Sequence, residues 1–217
     1  MKKYTIDGDL AEETGIHVGD GSMNVYKNNK HYYTVACHHI DDKKYIDKVV
    51  LPLIKRIYGK TPKPRIWTKG AYGFRICSID IIKFKNGILG LPLGKKKDIS
   101  APKVIRNDKK LMRRFTRGLF DTDGSLTLWK TNNKLYPRIY FSTISKTLVE
   151  EVKEFLMNEG FRVTYWETDY SHRGWSKYYK ISINGTNMLI KYVNEIGFNN
   201  SKNIKKLDIL GIKHKIF

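Results

Sequence analysis

The chain has 217 residues, 41% of them hydrophobic and 12% aromatic, and its 41 Lys and Arg against 21 Asp and Glu give a formal charge of +20 and a pI near 9.8. That composition describes a folded protein, and a single-sign excess of this size repels itself unless a polyanion neutralises it, which points to nucleic acid. No apolar run approaches the roughly 20 residues of a membrane span, and Met1-Lys2-Lys3 leads into Tyr4-Thr5-Ile6-Asp7 without a signal-peptide core, so the sequence predicts a soluble, intracellular protein, cytoplasmic or nucleoid-associated.

In chain order, residues 9–18 read as a helix that runs into Gly15-Ile16-His17-Val18-Gly19-Asp20-Gly21-Ser22-Met23. Strand, polar turn and strand follow over 23–38. A helix is predicted over 42–58, with Asp41 as N-cap and Gly59 as the residue that ends it. A second hairpin spans 64–78 with its turn at Gly70 to Gly73, and a short helix spans 79–89. Residues 90–108 carry Pro92, Gly94, Pro102 and the basic run Lys95-Lys96-Lys97, and read as a linker with a boundary near Ala101.

The same order then repeats. A helix over 111–120 enters Gly118-Leu119-Phe120-Asp121-Thr122-Asp123-Gly124-Ser125-Leu126, a hairpin follows, then a helix over 146–158 capped by Ser145 and ended by Gly160. A hairpin over 162–183, with its turn at Ser171 to Gly174, and a short helix over 186–196 close the half. The two acidic motif ends are 123 − 20 = 103 positions apart, close to half the chain. A shift near 104 lays Thr34-Val35-Ala36-Cys37 on Arg138-Ile139-Tyr140-Phe141. The expectation is an α+β fold of two pseudo-symmetric αββαββα repeats, residues 1–100 and 101–217, whose antiparallel sheets form a saddle around a central two-helix interface. Cys37 and Cys77 lack a CxxC spacing and read as buried free thiols, not a zinc site.

Gly15 and Gly19, like Gly118 and Thr122, lie four apart on one helix face. Glycine in a helix costs about 1 kcal/mol relative to Ala. Small residues at that spacing let two backbones approach closely. If the two helices pack along these stripes, Asp20 and Asp123 come together at their C-terminal ends. Two carboxylates there repel each other and the helix dipoles unless cations fill the gap. Hard divalent cations suit such oxygens and leave room for phosphate ligands, so the site is shaped for a metal and a phosphodiester.

These residues resemble the LAGLIDADG homing endonucleases in their monomeric, two-motif form. Thr116-Arg117-Gly118-Leu119-Phe120-Asp121-Thr122-Asp123-Gly124 matches closely and Glu13-Thr14-Gly15-Ile16-His17-Val18-Gly19-Asp20-Gly21 more loosely, and the repeated order extends the similarity over essentially the whole chain. The resemblance implies that Asp20 and Asp123 bind a catalytic Mg²⁺ (or Mn²⁺), helped by the carbonyls of Gly19 and Thr122. It implies one lysine per half near the scissile phosphate, here Lys97 and Lys202, with Lys96 and Lys205 beside them. His38 falls where some relatives carry a water-positioning residue. Val18 departs from the acidic residue that Asp121 supplies in the second copy, a position tied to capping.

Strand alternation puts Met23, Val25, Leu126 and Leu128 on the core face. Asn24, Tyr26, Asn28, Tyr32, Thr34, His38, Thr127, Trp129, Thr131, Tyr136, Arg138, Tyr140 and Ser142 fall on the other. Arg65, Trp67, Lys69, Arg75, Arg162, Thr164, Trp166 and Lys180 extend that face outward. A polar, aromatic and basic β surface suits the major groove of double-stranded DNA. Because the halves differ along it, the target is expected to be long and asymmetric, cut on both strands by a monomer that serves as a pseudo-dimer. The alternative is a non-catalytic binder of the same fold, an RNA maturase acting on intron RNA or a transcription regulator. Loss of a motif acid would favour it, and both acids are present.

Overall fold

Asp7 accepts a hydrogen bond from the Leu10 amide and starts helix α1 (Gly8–Asp20), satisfying one of the free amides of its first turn. The chain is represented by a computed structural model that describes residues 4–27, 29–67 and 70–214; the expected contacts Asn28 and Lys69 lie outside these. Strands β1 (Gly21–Val25) and β2 (His31–His38) follow, then α2 (Lys43–Tyr45), a π-helical turn (Ile46–Val50) and α3 (Leu51–Tyr58). After β3 (Arg65–Ile66), β4 (Ala71–Cys77) and α4 (Ile79–Gly87), α5 (Lys103–Arg106) lies in the linker. The second half runs α6 (Lys109–Thr122), β5 (Gly124–Thr131), β6 (Lys134–Thr143), α7 (Lys146–Asn158), β7 (Val163–Thr168), β8 (Tyr178–Asn184), α8 (Thr186–Glu195) and α9 (Ser201–Ile209).

Each half forms an antiparallel four-stranded sheet, ordered β1-β2-β4-β3 and β5-β6-β8-β7. The α+β architecture of two like halves therefore stands. Several local expectations do not. Asp41 lies outside the helix and pairs with His38 at 3.1 Å, while Asp42 holds the cap position without capping and the helix contains the π turn. Ser145 does cap α7 through the Leu148 amide, and Gly59 and Gly160 end their helices at φ 62° and 78°, where a side chain would be strained. Gly73 lies within β4, paired with Ala36 and Arg65, not in the turn. Cys37 is buried, but Cys77 follows inward Ile76 and is exposed. Val25 is likewise exposed, beyond the part of the sheet that the helices cover.

The register also corrects the internal alignment. Gly21 pairs with Val35 and Gly124 with Phe141, so Val35 corresponds to Phe141 and Tyr32 to Arg138, two residues away from a uniform shift of 104. The second hairpin has the longer strands, closed by Asn132 and Asn133 at φ 47° and 59°, a two-residue turn of the kind that matches strand twist.

Helices α1 and α6 cross at the centre. A Cβ on Gly15 would collide with the Phe115 carbonyl oxygen and one on Gly118 with that of Glu12, so the backbones touch as the four-residue spacing predicts. Apolar side chains from both halves form one core around them, including Leu10, Ile16, Phe115 and Leu119. Two buried ionic clusters flank the crossing. Glu13 accepts from Lys85 Nζ at 2.7 Å, Tyr58 OH at 2.9 Å and Tyr33 OH. Glu12 binds Arg117 at 2.7 Å, Arg114 at 3.0 Å and the Asn199 amide at 2.7 Å, tying the halves together. Among the described residues no helix is long and apolar enough to cross a membrane.

Candidate functional site

Because the glycine stripes bring the two backbones into contact, the motif ends emerge side by side. A Cβ on Gly19 would collide with Thr122 Oγ1 and lie 3.4 Å from the carboxyl carbon of Asp123. Asp20 is the last residue of α1 and Asp123 the cap of α6. Both carboxyl groups hold their protons more tightly than a free aspartate. Lost hydration and then Asp20 push the pKa of Asp123 up to about 7, with Lys96 and Lys202 opposing. Burial and then Asp42 raise that of Asp20, opposed by a hydrogen bond from the Cys37 thiol and by the same lysines. The thiol is pushed far up by burial and by Asp20, so it stays protonated and donates.

One lysine from each half reaches the end of a motif helix. Lys96 Nζ donates to the carbonyls of His17, Val18 and Gly19 at 3.0, 2.7 and 2.7 Å. It caps the C-terminus of α1, where a cation complements the helix dipole. Lys202 Nζ donates to the Thr122 carbonyl at 3.4 Å and pairs with Asp42 at 3.1 Å. Of the two neighbouring lysines, Lys97 is exposed and makes no hydrogen bond or ion pair among the described residues, whereas Lys96 reaches the end of α1. Lys202 lies on α9, not in the loop that the sequence suggested, and Lys205 on the same helix is exposed.

Asp42, Cys37 and the Asn199-Asn200 pair were not anticipated as part of this site. Asp42 is buried and accepts from Asn200 Nδ2 at 2.7 Å as well as from Lys202. Asp121 is fully buried, accepts from the backbone amides of Asn199 and Asn200 at 2.8 and 3.1 Å, and is raised by burial to about 7. The acid of the second motif thus fastens the segment that carries Lys202. The one signal available in the sequence was the acid beside Asp41, which capping logic passed over.

The donor set fits a hard divalent cation: two carboxylates, and the Gly19 and Thr122 carbonyls now held by ammonium groups. Among the described residues there is no group of three or more His, Cys, Asp or Glu that could hold a metal.

Both sheets turn a polar face away from the core. In the second, Ser125, Thr127, Trp129 and Thr131 alternate with inward Leu126 and Leu128, and the ladders carry this outward row through Tyr136, Arg138, Tyr140, Ser142, Lys180, Asn184, Thr164 and Trp166. Arg162 is exposed just before β7. In the first, Ser22 and Asn24 continue through Tyr32, Thr34, Arg75 and Cys77, with Arg65 and Trp67 at the edge strand and Tyr26 exposed beside Tyr32. His38 is exposed at the end of β2, on Asp41, and does not contact Asp20 or Asp123. Asn184 was missed in the sequence because its place opposite Arg138 depends on strand pairing.

Residues 110–197 match the family model described as a LAGLIDADG-like domain. No curated protein matches the chain. Among solved structures, I-DmoI in complex with DNA and Mn is 22% identical with a TM-score of 0.61, over 88% of this chain and 96% of that one. The LAGLIDADG meganuclease I-AabMI bound to uncleaved DNA is 15% identical with a TM-score of 0.59, over 95% and 90%. The N-terminal LAGLIDADG domain of DUF199/WhiA is 13% identical with a TM-score of 0.58, over 92% and 86%. The chain therefore resembles the LAGLIDADG homing endonucleases in fold across both halves, and matches the family model in the second.

Proposed function

We propose, from this two-motif LAGLIDADG fold, that the chain is a site-specific endonuclease that makes double-strand breaks in a long, asymmetric DNA target, as in intron homing. The observation that carries the reading is the meeting of Asp20 with Asp123 where two pseudo-symmetric basic faces join, with a lysine from each half beside them. The repeats at 1–100 and 101–217 each supply one acid, one lysine and one sheet to a single monomer. Similar folds crystallised with DNA and Mn, and with DNA and Ca, support the choice of partner and of a divalent ion.

When bound at this position, Mg²⁺ or Mn²⁺ supplies a Lewis acid and a water of lowered pKa. The residues of the chain do the rest. Asp20 and Asp123, from opposite halves, fix the centre between two scissile phosphates. Lys96 and Lys202 place positive charge beside each, where it stabilises the charge that develops in phosphoryl transfer. The sheets hold the duplex in register, mainly through phosphate contacts whose strength falls with salt.

Asp20→Asn and Asp123→Asn are expected to abolish double-strand cleavage of a target selected from a genomic or randomised library while DNA binding persists. Cleavage of both strands retained by these variants would overturn the site. Binding of DNA or intron RNA by the wild-type chain with no cleavage in Mg²⁺ or Mn²⁺ would replace the reading by the non-catalytic one.

A further inference from the structure

Two arginines on the outward faces are held in a way that phosphate-seeking surface arginines are not. Arg138, on the central strand β6, donates from Nε to Asn184 Oδ1 at 2.9 Å, and its guanidinium lies 5.2 Å from the Trp129 ring centre. Asn184 is itself fixed, because its Nδ2 donates to Ser182 Oγ at 3.1 Å and Thr164 Oγ1 at 3.4 Å, which turns its carbonyl oxygen toward Arg138. Arg75, on the central strand β4, donates from Nε to Thr34 Oγ1 at 3.2 Å, with its guanidinium 5.0 Å from the Tyr32 ring and 6.0 Å from that of Trp67. In both, the terminal nitrogens have no hydrogen-bond or ion-pair partner among the described residues. Arg138 lines a cleft of about 390 Å³ together with Trp129, Tyr136 and Pro137.

An arginine tethered at Nε and covered on one face has its side-chain entropy removed in advance and presents a planar pair of donors. In the major groove that pair matches the two acceptors O6 and N7 of guanine, whereas adenine offers one acceptor and one donor there. A phosphate also accepts such a fork. Position favours guanine: β4 and β6 are inner strands of their sheets, and in the DNA-binding reading above an inner strand faces base edges while the margins of the sheet face the backbone. We propose that Arg75 and Arg138 are guanine readers, one in each half-site, with Asn184 as the positioning residue of the second. This rests on the DNA-binding reading above and gives it a base identity.

The ladders also set the spacing. Arg75 lies in the row Ser22–Thr34–Arg75, one step beyond Gly21, while Arg138 lies in the row Thr127–Arg138–Asn184, three steps beyond Gly124. Two further residues of strand, at about 3.3 Å each, span about two base-pair steps. With the strands running along the groove, as the DNA-binding reading requires, the guanine read by Arg138 stands about two base pairs further from the cleavage centre than the one read by Arg75.

The test is selection of bound duplexes from a randomised library, without cleavage, by the full chain and its Arg138→Lys, Arg75→Lys and Asn184→Leu variants, each checked for an unchanged unfolding midpoint. The wild-type chain is expected to prefer G at one position per half-site, with the stated offset, by roughly 5- to 150-fold. Arg138→Lys keeps the charge but not the planar, pre-set fork, and should weaken the preference at its own position alone. Asn184→Leu should relax that same position without weakening binding to unselected DNA. Uniform weakening across all sequences in Arg138→Lys would mark a phosphate contact and overturn the proposal, as would a wild-type preference that neither arginine variant alters. A wild-type chain that binds no duplex selectively would instead remove the endonuclease reading on which the proposal stands.

Discussion

Gly118 faces the backbone carbonyl of Glu12 across the two central helices, at a separation that leaves no room for a methyl group. Gly118→Ala therefore gains helix propensity, worth about 1 kcal/mol, and loses more by forcing the helices apart. A net destabilisation of about 1–3 kcal/mol is expected in urea unfolding. Gly87→Ala is the control: it sits in α4 with open space around it and should raise stability by up to about 1 kcal/mol. A Gly118→Ala variant that is neutral or stabilised, like the control, would mean that the helices do not touch as described.

Lys85 and Glu13 form a pair with no exposure on either side chain. Lys85→Met leaves Glu13 buried with only the Tyr33 and Tyr58 hydroxyls for compensation, and should cost about 3–5 kcal/mol. Adding Glu13→Leu should recover part of that loss, because it removes the stranded charge. A chemical-denaturation double-mutant cycle measures the coupling, and strict additivity of the two changes would contradict it.

Glu159 meets Lys109 at 2.6 Å and Arg113 at 2.5 Å, joining the helix before the second motif to the end of α7. Burial raises its pKa, but the hydrogen bonds from Lys109 and Arg113 outweigh burial and the net shift is downward. A depressed carboxyl contributes stability above its unfolded pKa, near 4.3, and loses it as pH falls through the folded value. Glu159→Gln should therefore be less stable than wild type at pH 7, by about 1–3 kcal/mol, and the gap should close as pH falls below about 4. Unfolding midpoints across that range check it; a gap that widens toward acid would give the shift the wrong sign.

Lys96 and Lys97 are adjacent in sequence but differ in place. Lys96→Met removes the ammonium that caps α1 and stands beside Asp20, and should slow cleavage of one strand by on the order of 10²–10³. Nicked product should then accumulate in a plasmid assay. Lys97→Met should leave both strands cut at wild-type rates while steepening no other dependence. The reverse pattern would restore Lys97 as the site lysine.

Short-range signals in the sequence were enough for the duplicated order of elements, the glycine stripes and the inward–outward alternation of the strands. Each depends on residues a few positions apart, whose backbone periods of 3.6 and 2 are fixed locally. Glycines every fourth residue predicted a close helix pair, and Gly15 and Gly118 supply it. The acids at the two helix ends follow from the same stripes.

Tertiary structure decided which side chains share a pocket. A one-residue choice between Lys96 and Lys97 depends on how a linker folds back over α1, and the two-residue offset between the hairpins depends on ladder pairing, not on the chain's internal repeat. Asp42, passed over in favour of Asp41, meets Asn200 and Lys202 from 158 and 160 positions away (200 − 42 and 202 − 42). Such contacts are selected by the packing free energy of the whole core, which no local window contains.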